Sequence, residues 1–228
     1  MVTPRIHAVK TVFDGKRDAS ANSPGEAIMA ESLEVIEREL GPRPVEAAER
    51  SIVRRMIHAT ADFDYAASVH FGAGAIEAAV KAFRNGAPIA TDVEMLRAGV
   101  RQDLARPLAV EAVCAIDEPA TTMLASSEGL TRSAAGIRRL AVRLGNGAVV
   151  AIGSAPTALV EAIRLVTSEG WKPACIIGIP VGFVGVEDAK GRLVEQTVIP
   201  FLTSVGRKGG TSVTAAVVNA LLALAREG

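Results

Sequence analysis

From Pro88 onward the chain alternates short apolar runs with helical stretches, and this rhythm limits its fold more than any other feature. Pro88 to Asp92 predicts a strand and Val93 to Val100 a short helix. Ala109 to Ile116 predicts a strand and, after a mixed loop, Thr131 to Leu144 a helix. Ala148 to Ile152, Ala174 to Ile179 and Val198 to Thr203 predict further strands. Pro156 to Glu169 and Thr211 to Arg226 predict helices. Strand and helix in regular alternation mean βαβ units and a mostly parallel sheet. The runs are apolar at successive positions, as strands covered on both faces are. The expected fold is α/β: one three-layer α/β/α domain with a mostly parallel central sheet of about five strands.

Ahead of that region the chain reads as helical. Pro24 opens a helix with Ser23 as the expected N-cap. Met29, Leu33, Ile36 and Leu40 recur at helical spacing, and Gly41-Pro42 ends the stripe. A second helix is expected from about Val45 to Thr60, burying Ile52, Val53, Met56 and Ile57. A third is expected from about Gly74 to Asn85, with Ile76, Val80 and Phe83 on one side. Residues 1–23 are polar and read as an extended or partly disordered arm. Residues 24–228 read as a single domain, long enough to bury a core without staples.

Composition excludes several classes. Lys and Arg total 25, Asp and Glu total 25, and the formal net charge is zero. A nucleic-acid binder usually carries a basic surplus, so no nucleic-acid partner is expected. An anionic ligand stays open, since local placement decides that. Cys114 and Cys175 stand 61 residues apart in apolar stretches, neither a disulfide framework nor a CxxC pair. They read as small core residues. His7, His58 and His70 have no metal-ligand spacing, so no metal is expected. No apolar run approaches the ~20 residues of a membrane span. The N-terminus has no apolar signal core. These features predict a reduced, cytoplasmic, soluble protein with no membrane partner.

In open α/β sheets ligands bind beyond the carboxyl ends of the strands. After Ile152 comes Gly153-Ser154-Ala155-Pro156-Thr157, either a common strand-to-helix turn or a helix N-terminus offering N–H groups to an anion. After Ile179 comes Pro180-Val181-Gly182-Phe183-Val184-Gly185. After the last strand comes Gly206-Arg207-Lys208-Gly209-Gly210, basic and glycine-rich, suited to a carboxylate or phosphate. No nucleotide fingerprint is present, neither GxGxxG after a strand nor GxxxxGK[ST], and there is no GxSxG.

His58 lies near the end of the second helix. It reads as a core residue satisfied by a carbonyl, a surface residue favoured by the helix dipole, or a proton donor. Asp62 and Asp64 follow, either orienting it or simply solvated. Arg132 stands at a helix start, either a surface arginine paired elsewhere or a residue reaching an anionic ligand. Glu94 and Arg97 have the spacing of a plain i,i+3 ion pair.

Several of these stretches, in order, resemble one family. They are Arg55-Met56-Ile57-His58-Ala59-Thr60, Pro88-Ile89-Ala90-Thr91-Asp92-Val93-Glu94-Met95, Thr131-Arg132-Ser133-Ala134-Ala135, Gly153-Ser154-Ala155-Pro156-Thr157, Pro180-Val181-Gly182-Phe183-Val184-Gly185 and Gly206-Arg207-Lys208-Gly209-Gly210. Together they resemble the precorrin-8X methylmutases, the precorrin isomerases of cobalamin (vitamin B12) biosynthesis, over about Met29 to Leu224. The resemblance implies an isomerase, an intramolecular transferase, that moves the C-11 methyl of precorrin-8X to C-12 and releases hydrogenobyrinate. The cobalt-containing route gives cobyrinate instead. It implies a homodimer and no cofactor. It makes His58 the general acid, and it places Arg132 at the carboxylates of the macrocycle. Thr131, Ser154, Thr91, Arg207, Lys208 and Gly182 are the further expected substrate-binding residues. Ser154 stands where the family often has asparagine, and residues 1–23 match little.

A methyl shift of this kind needs no nucleophile, metal or redox centre. It needs a macrocycle held in one orientation and one well-placed proton. Arg132, Arg207, Lys208 and the N–H groups near Ser154 are expected to hold the carboxylates, making one positive pocket on a neutral or acidic surface. A non-catalytic tetrapyrrole carrier and an unrelated nucleotide-binding enzyme are the alternatives from other classes.

Overall fold

A computed structural model describes residues 24–42 and 45–227. The arm over 1–23 and the Ser23 cap lie outside the described residues. In chain order the elements are α1 (Pro24–Leu40), α2 (Ala47–Thr60), α3 (Tyr65–Ser68), β1 (Val69–Phe71), α4 (Ala75–Arg84) and β2 (Ile89–Thr91). Then come α5 (Glu94–Gly99), α6 (Gln102–Ala105), a 3₁₀ turn (Arg106–Leu108), β3 (Ala112–Cys114), α7 (Pro119–Glu128) and α8 (Arg132–Leu144). The chain ends with β4 (Val149–Ile152), α9 (Pro156–Glu169), β5 (Cys175–Gly178), α10 (Val186–Glu195), β6 (Phe201–Ser204) and α11 (Thr211–Arg226).

The strands form one sheet in the order β1-β6-β5-β4-β2-β3. The five from β2 to β6 pair in parallel, and these are the five strands the alternation predicts. The sixth, β1, runs antiparallel along the edge of β6, with Val69 opposite Ser204 and Phe71 opposite Leu202. Three residues carry no readable period. Pairing with β6 makes Val69–Phe71 a strand, and His70 stacks on Phe201 at 5.7 Å between ring centroids.

Alternate residues of each strand feed two cores, as a period of two requires. Ile89, Val149, Ala151, Cys175, Ile177 and Leu202 pack with α1, α2, α4, α5 and α11. Ala90, Val150, Ile152, Ile176 and Phe201 pack with α8, α9 and α10. Helices therefore cover both faces, and α11 is the centre of its layer, touching α2, α4 and α5. Cys175 is buried there, and burial pushes its thiol pKa up to about 12, so it stays an inert core residue.

Two helices outside the expected set complete the second layer. α7 contains Thr121, Thr122, Ser126 and Ser127, weak helix formers with little apolar face. Pro119 in its first turn and Gly129 just past its end still mark its limits. α10 contains Gly191, a poor helix former, yet Val186, Ala189 and Leu193 recur at helical spacing and are buried.

Candidate functional site

β2 leads to β3 on one side, whereas β4 lies on the other side of β2. The crevice beyond β2 and β4 is therefore the topological switch point, where an α/β sheet most readily takes a ligand. Here that crevice is plugged by the protein. Asp92 follows β2, is 1% exposed, and turns its carboxylate across to the β4–α9 turn. Its Oδ1 accepts from the N–H of Gly153 at 3.1 Å, and its Oδ2 accepts from Ser154 and Ala155 at 2.8 Å each. The expectation that N–H groups near Ser154 stand open to a ligand is corrected by this contact. The start of α9 already holds an anion, supplied by Asp92. Burial pushes the Asp92 pKa above the usual carboxylate range, while the three N–H bonds pull it back. Thr91 is likewise 1% exposed, and its hydroxyl donates to the carbonyl of Val113.

The loops after β4, β5 and β6 meet along one rim. Gly182 N–H donates to the carbonyl of Arg207 at 3.3 Å, and Gly210 N–H donates to that of Ile179 at 2.9 Å. A Cβ on Gly209 would stand 2.3 Å from the Ile179 carbonyl oxygen, so only glycine lets the last loop seat against the end of β5. Thr131 caps α8, its hydroxyl accepting from Ala134 N–H, and meets the Thr157 hydroxyl at 2.8 Å. That contact joins the start of α8 to the start of α9. Thr131, Arg132, Ser154, Gly182 and Arg207 are thereby brought to one rim, with Ser154 exposed.

The cations of this rim are all matched. Arg132 reaches Asp117 at 3.6 Å, and Arg207 reaches Glu187 at 3.2 Å while lying 5.8 Å from the Phe183 ring centroid. Lys208 bonds Asp62 at 2.6 Å and Asp64 at 2.5 Å. Those two carboxylates raise the Lys208 pKa, and the lysine lowers that of Asp62. Asp62 and Asp64 therefore neither orient His58 nor sit merely solvated: they tie the end of α2 to the loop before α11. The rim is a set of charge pairs and not the positive pocket expected. Exposed pairs such as Arg132–Asp117 and Arg207–Glu187 are weak, so an incoming carboxylate displaces their acids at little cost.

His58 takes no part in these rim contacts but lies on the last turn of α2, just before Asp62 and Asp64, which bond Lys208 of the rim. It is exposed and lines a cavity of about 200 Å³ with Met29, Arg55, Arg101 and Asn219. Arg55 there touches Met29 Sδ at 3.3 Å, and desolvation together with Arg101 and Arg54 lowers its pKa. The arrangement places a histidine beside two arginines, of which Arg101 is paired with Asp103, and apolar walls, where a proton can be handed to an anionic ligand. Glu94 and Arg97 form the plain i,i+3 pair the spacing suggests.

Two buried charged residues near these loops, Asp92 and Lys190, were given no role by the sequence. Asp92 was legible only as an acid after a strand; its partners lie 61 residues and more away. Lys190 had a signal, since it falls on the same helical face as Val186, Ala189 and Leu193. Among the described residues, no group of three His, Cys, Asp or Glu is placed to hold a metal ion. No helix of the described residues is long and apolar enough to cross a membrane.

Comparison with known proteins matches residues 27–224 to the family model described as precorrin-8X methylmutase. A cobalt-precorrin-8 methylmutase of Priestia megaterium is 38% identical over 201 residues, covering 88% of each chain. A precorrin-8X methylmutase of Sinorhizobium sp is 38% identical over 199 residues, covering 86% of this chain and 93% of that protein. The crystal structure of a precorrin-8x methyl mutase from Thermus thermophilus superposes with a TM-score of 0.83 at 38% identity, covering 90% of this chain and 98% of that one.

Proposed function

We propose, from the premise that the chain belongs to the precorrin-8X methylmutase family, that His58 and the rim arginines carry out its methyl migration on precorrin-8X. The chain is an isomerase of cobalamin biosynthesis, an intramolecular methyl transferase. Its finer reaction, on our reading, moves the C-11 methyl to C-12 and yields hydrogenobyrinate. Substrate and product are isomers, so any proton delivered to the ring must leave it again once the methyl has moved. His58 delivers that proton to the macrocycle, which favours migration, and as neutral imidazole takes it back once the methyl has moved. Arg132 and Arg207 exchange Asp117 and Glu187 for substrate carboxylates and fix the ring's orientation. Thr131, Ser154 and Gly182 line the same rim. The supporting observation is the match over 27–224 combined with an exposed His58 in the cationic cavity on α2.

A second reading, the cobalt form giving cobyrinate, is favoured by the likeness to the Priestia megaterium cobalt-precorrin-8 methylmutase. Absorbance decides between them. Purified protein is mixed with precorrin-8X or with its cobalt form, and the chromophore is followed. A spectral change with the metal-free substrate supports the first reading, and a change with the cobalt form alone supports the second. Bound but unchanged spectra in both would make the chain a tetrapyrrole carrier and overturn the assignment. In the same assay Arg132→Ala is expected to raise KM about 10- to 100-fold, the worth of one charge-assisted hydrogen bond. An unchanged KM would remove Arg132 from the site.

Homodimerisation is proposed as well. Its support is the cluster of exposed apolar side chains on the rim, Val181, Phe183, Val184 and Val205, with Phe183 83% and Val184 90% exposed. Sedimentation at micromolar concentration should give twice the chain mass; a single-chain mass would refute it. The unpaired Cys114 and Cys175 support a reducing compartment, the cytoplasm.

A further inference from the structure

The loop between β6 and α11 is built around a lysine. Lys190 lies on the buried face of α10 and is 2% exposed. Its Nζ donates to the Ser204 hydroxyl at 3.1 Å, to the Gly206 carbonyl at 2.9 Å and to the Lys208 carbonyl at 2.6 Å. All three acceptors are neutral, and three bonds need all three hydrogens of an ammonium group. Packing gives no reason for this charge. An apolar side chain would fill the same face without the cost of burying a cation. What the ammonium accomplishes is to gather the turn 204–208 onto one point, with Gly206 in the left-handed region at φ 79°. The other side of the loop is held by the Gly182–Arg207 and Ile179–Gly210 bonds. Between these anchors the Arg207 side chain projects outward, 59% exposed.

We propose that Lys190 is a positioning residue for the reaction: its ammonium holds 204–208 in the one conformation that presents Arg207 to a substrate carboxylate. The inference rests on the reading that rim arginines meet those carboxylates.

Burial lowers the Lys190 pKa to about 8, and Glu187 on the same helix pulls it partly back up. β6 faces the ammonium with Ser204, and the loop faces it with two carbonyls. α9, also packed on α10, adds no charge that acts on it. Above that pH the neutral amine keeps two hydrogens, and one loop bond is lost. Stability moves the other way. The unfolded chain binds this proton up to a pH of about 10.4, so between the native value and that one it holds more protons than the folded chain. Unfolding free energy therefore rises with pH across this window. Substrate affinity falls where stability rises, a split that a lysine kept only for stability does not produce.

The test uses the full-length wild type, Lys190→Met and Arg207→Ala with precorrin-8X. Lys190→Met should still fold at pH 7 and raise KM about tenfold or more, with kcat changed less. The wild-type KM should climb above pH 8, and the variant should lack that climb. The rise of Tm between pH 8 and 10 should also flatten in the variant. If Lys190→Met keeps wild-type KM and pH profile while Arg207→Ala raises KM, the inference is overturned and the rim reading stands. If Arg207→Ala leaves KM unchanged, the rim reading itself fails, and the inference with it. Should Lys190→Met not fold, Ser204→Ala and the wild-type profile decide. A KM flat from pH 7 to 9.5, or unaffected by Ser204→Ala, overturns the proposal.

Discussion

His58→Ala is expected to lose about 10²–10⁴-fold in kcat, the usual worth of a placed general acid. The fold should survive. His58 is exposed, and the face by which α2 packs on α11 is made by Ile52, Val53, Met56 and Ile57, all unaffected. Removing the imidazole enlarges a cavity that Arg55, Arg101 and Asn219 also line, so the cationic surroundings stay in place. Product affinity should therefore change little while turnover collapses. That split separates loss of a proton donor from loss of a binding contact. Circular dichroism checks the fold, a product-binding titration the affinity, and single-turnover absorbance the turnover. Full turnover of precorrin-8X by the alanine variant would sink the assignment of His58.

Asp92→Ala acts on the structure. The substitution leaves three N–H groups, of Gly153, Ser154 and Ala155, without the carboxylate that accepts from them. Gly153 is buried against α11, with Thr214 Oγ1 2.9 Å from where a Cβ would stand, so the turn has little room to move toward other acceptors. Orphaning one buried donor and two part-buried ones costs about 3 kcal/mol in total, or ~6–12 °C in Tm for a chain of this size. Asp92→Asn keeps one acceptor oxygen but turns an NH₂ group toward other donors, and should fall between. The carboxyl also leaves a pH signature. Its native pKa is raised by burial, so the native state holds this proton more tightly than the unfolded chain. Unfolding free energy falls as pH rises through the window just above the ordinary carboxylate range and is flat beyond it. Asp92→Asn should abolish that slope. Urea titrations at several pH values measure both effects, and a variant as stable as wild type would show that water replaces the carboxylate.

Legibility in the sequence tracked the range of the interactions. The parallel strands were readable because covered strands are apolar at every position, as in Val149–Ile152 and Cys175–Gly178. α8 was readable because Thr131 caps it and its apolar residues recur at 3.6. β1 was not, because three residues become a strand only when β6 supplies the partner groups. α7 was missed because Thr and Ser dilute its period, although its proline and glycine boundaries were present. The loops at the carboxyl ends were located correctly from their glycines, but the partners of their charges were not. Lys208 was expected to face a ligand, and in the free chain it is held by Asp62 and Asp64.

Residue order alone was enough for the layer architecture, the parallel sheet and the neighbourhood of the rim. Those follow from hydrophobic period, caps and breaks, which act over a few residues at a time. Ordered motifs also carried the family and with it the reaction class. Folding alone decided which charge meets which acceptor. Asp92 closes the switch-point crevice from 61 residues away, Lys208 reaches Asp62 across 146, and Lys190 draws a loop together through carbonyls that every residue possesses. Electrostatic and hydrogen-bond energies depend on distance in space and on burial, and neither quantity exists until the helices have packed on the sheet.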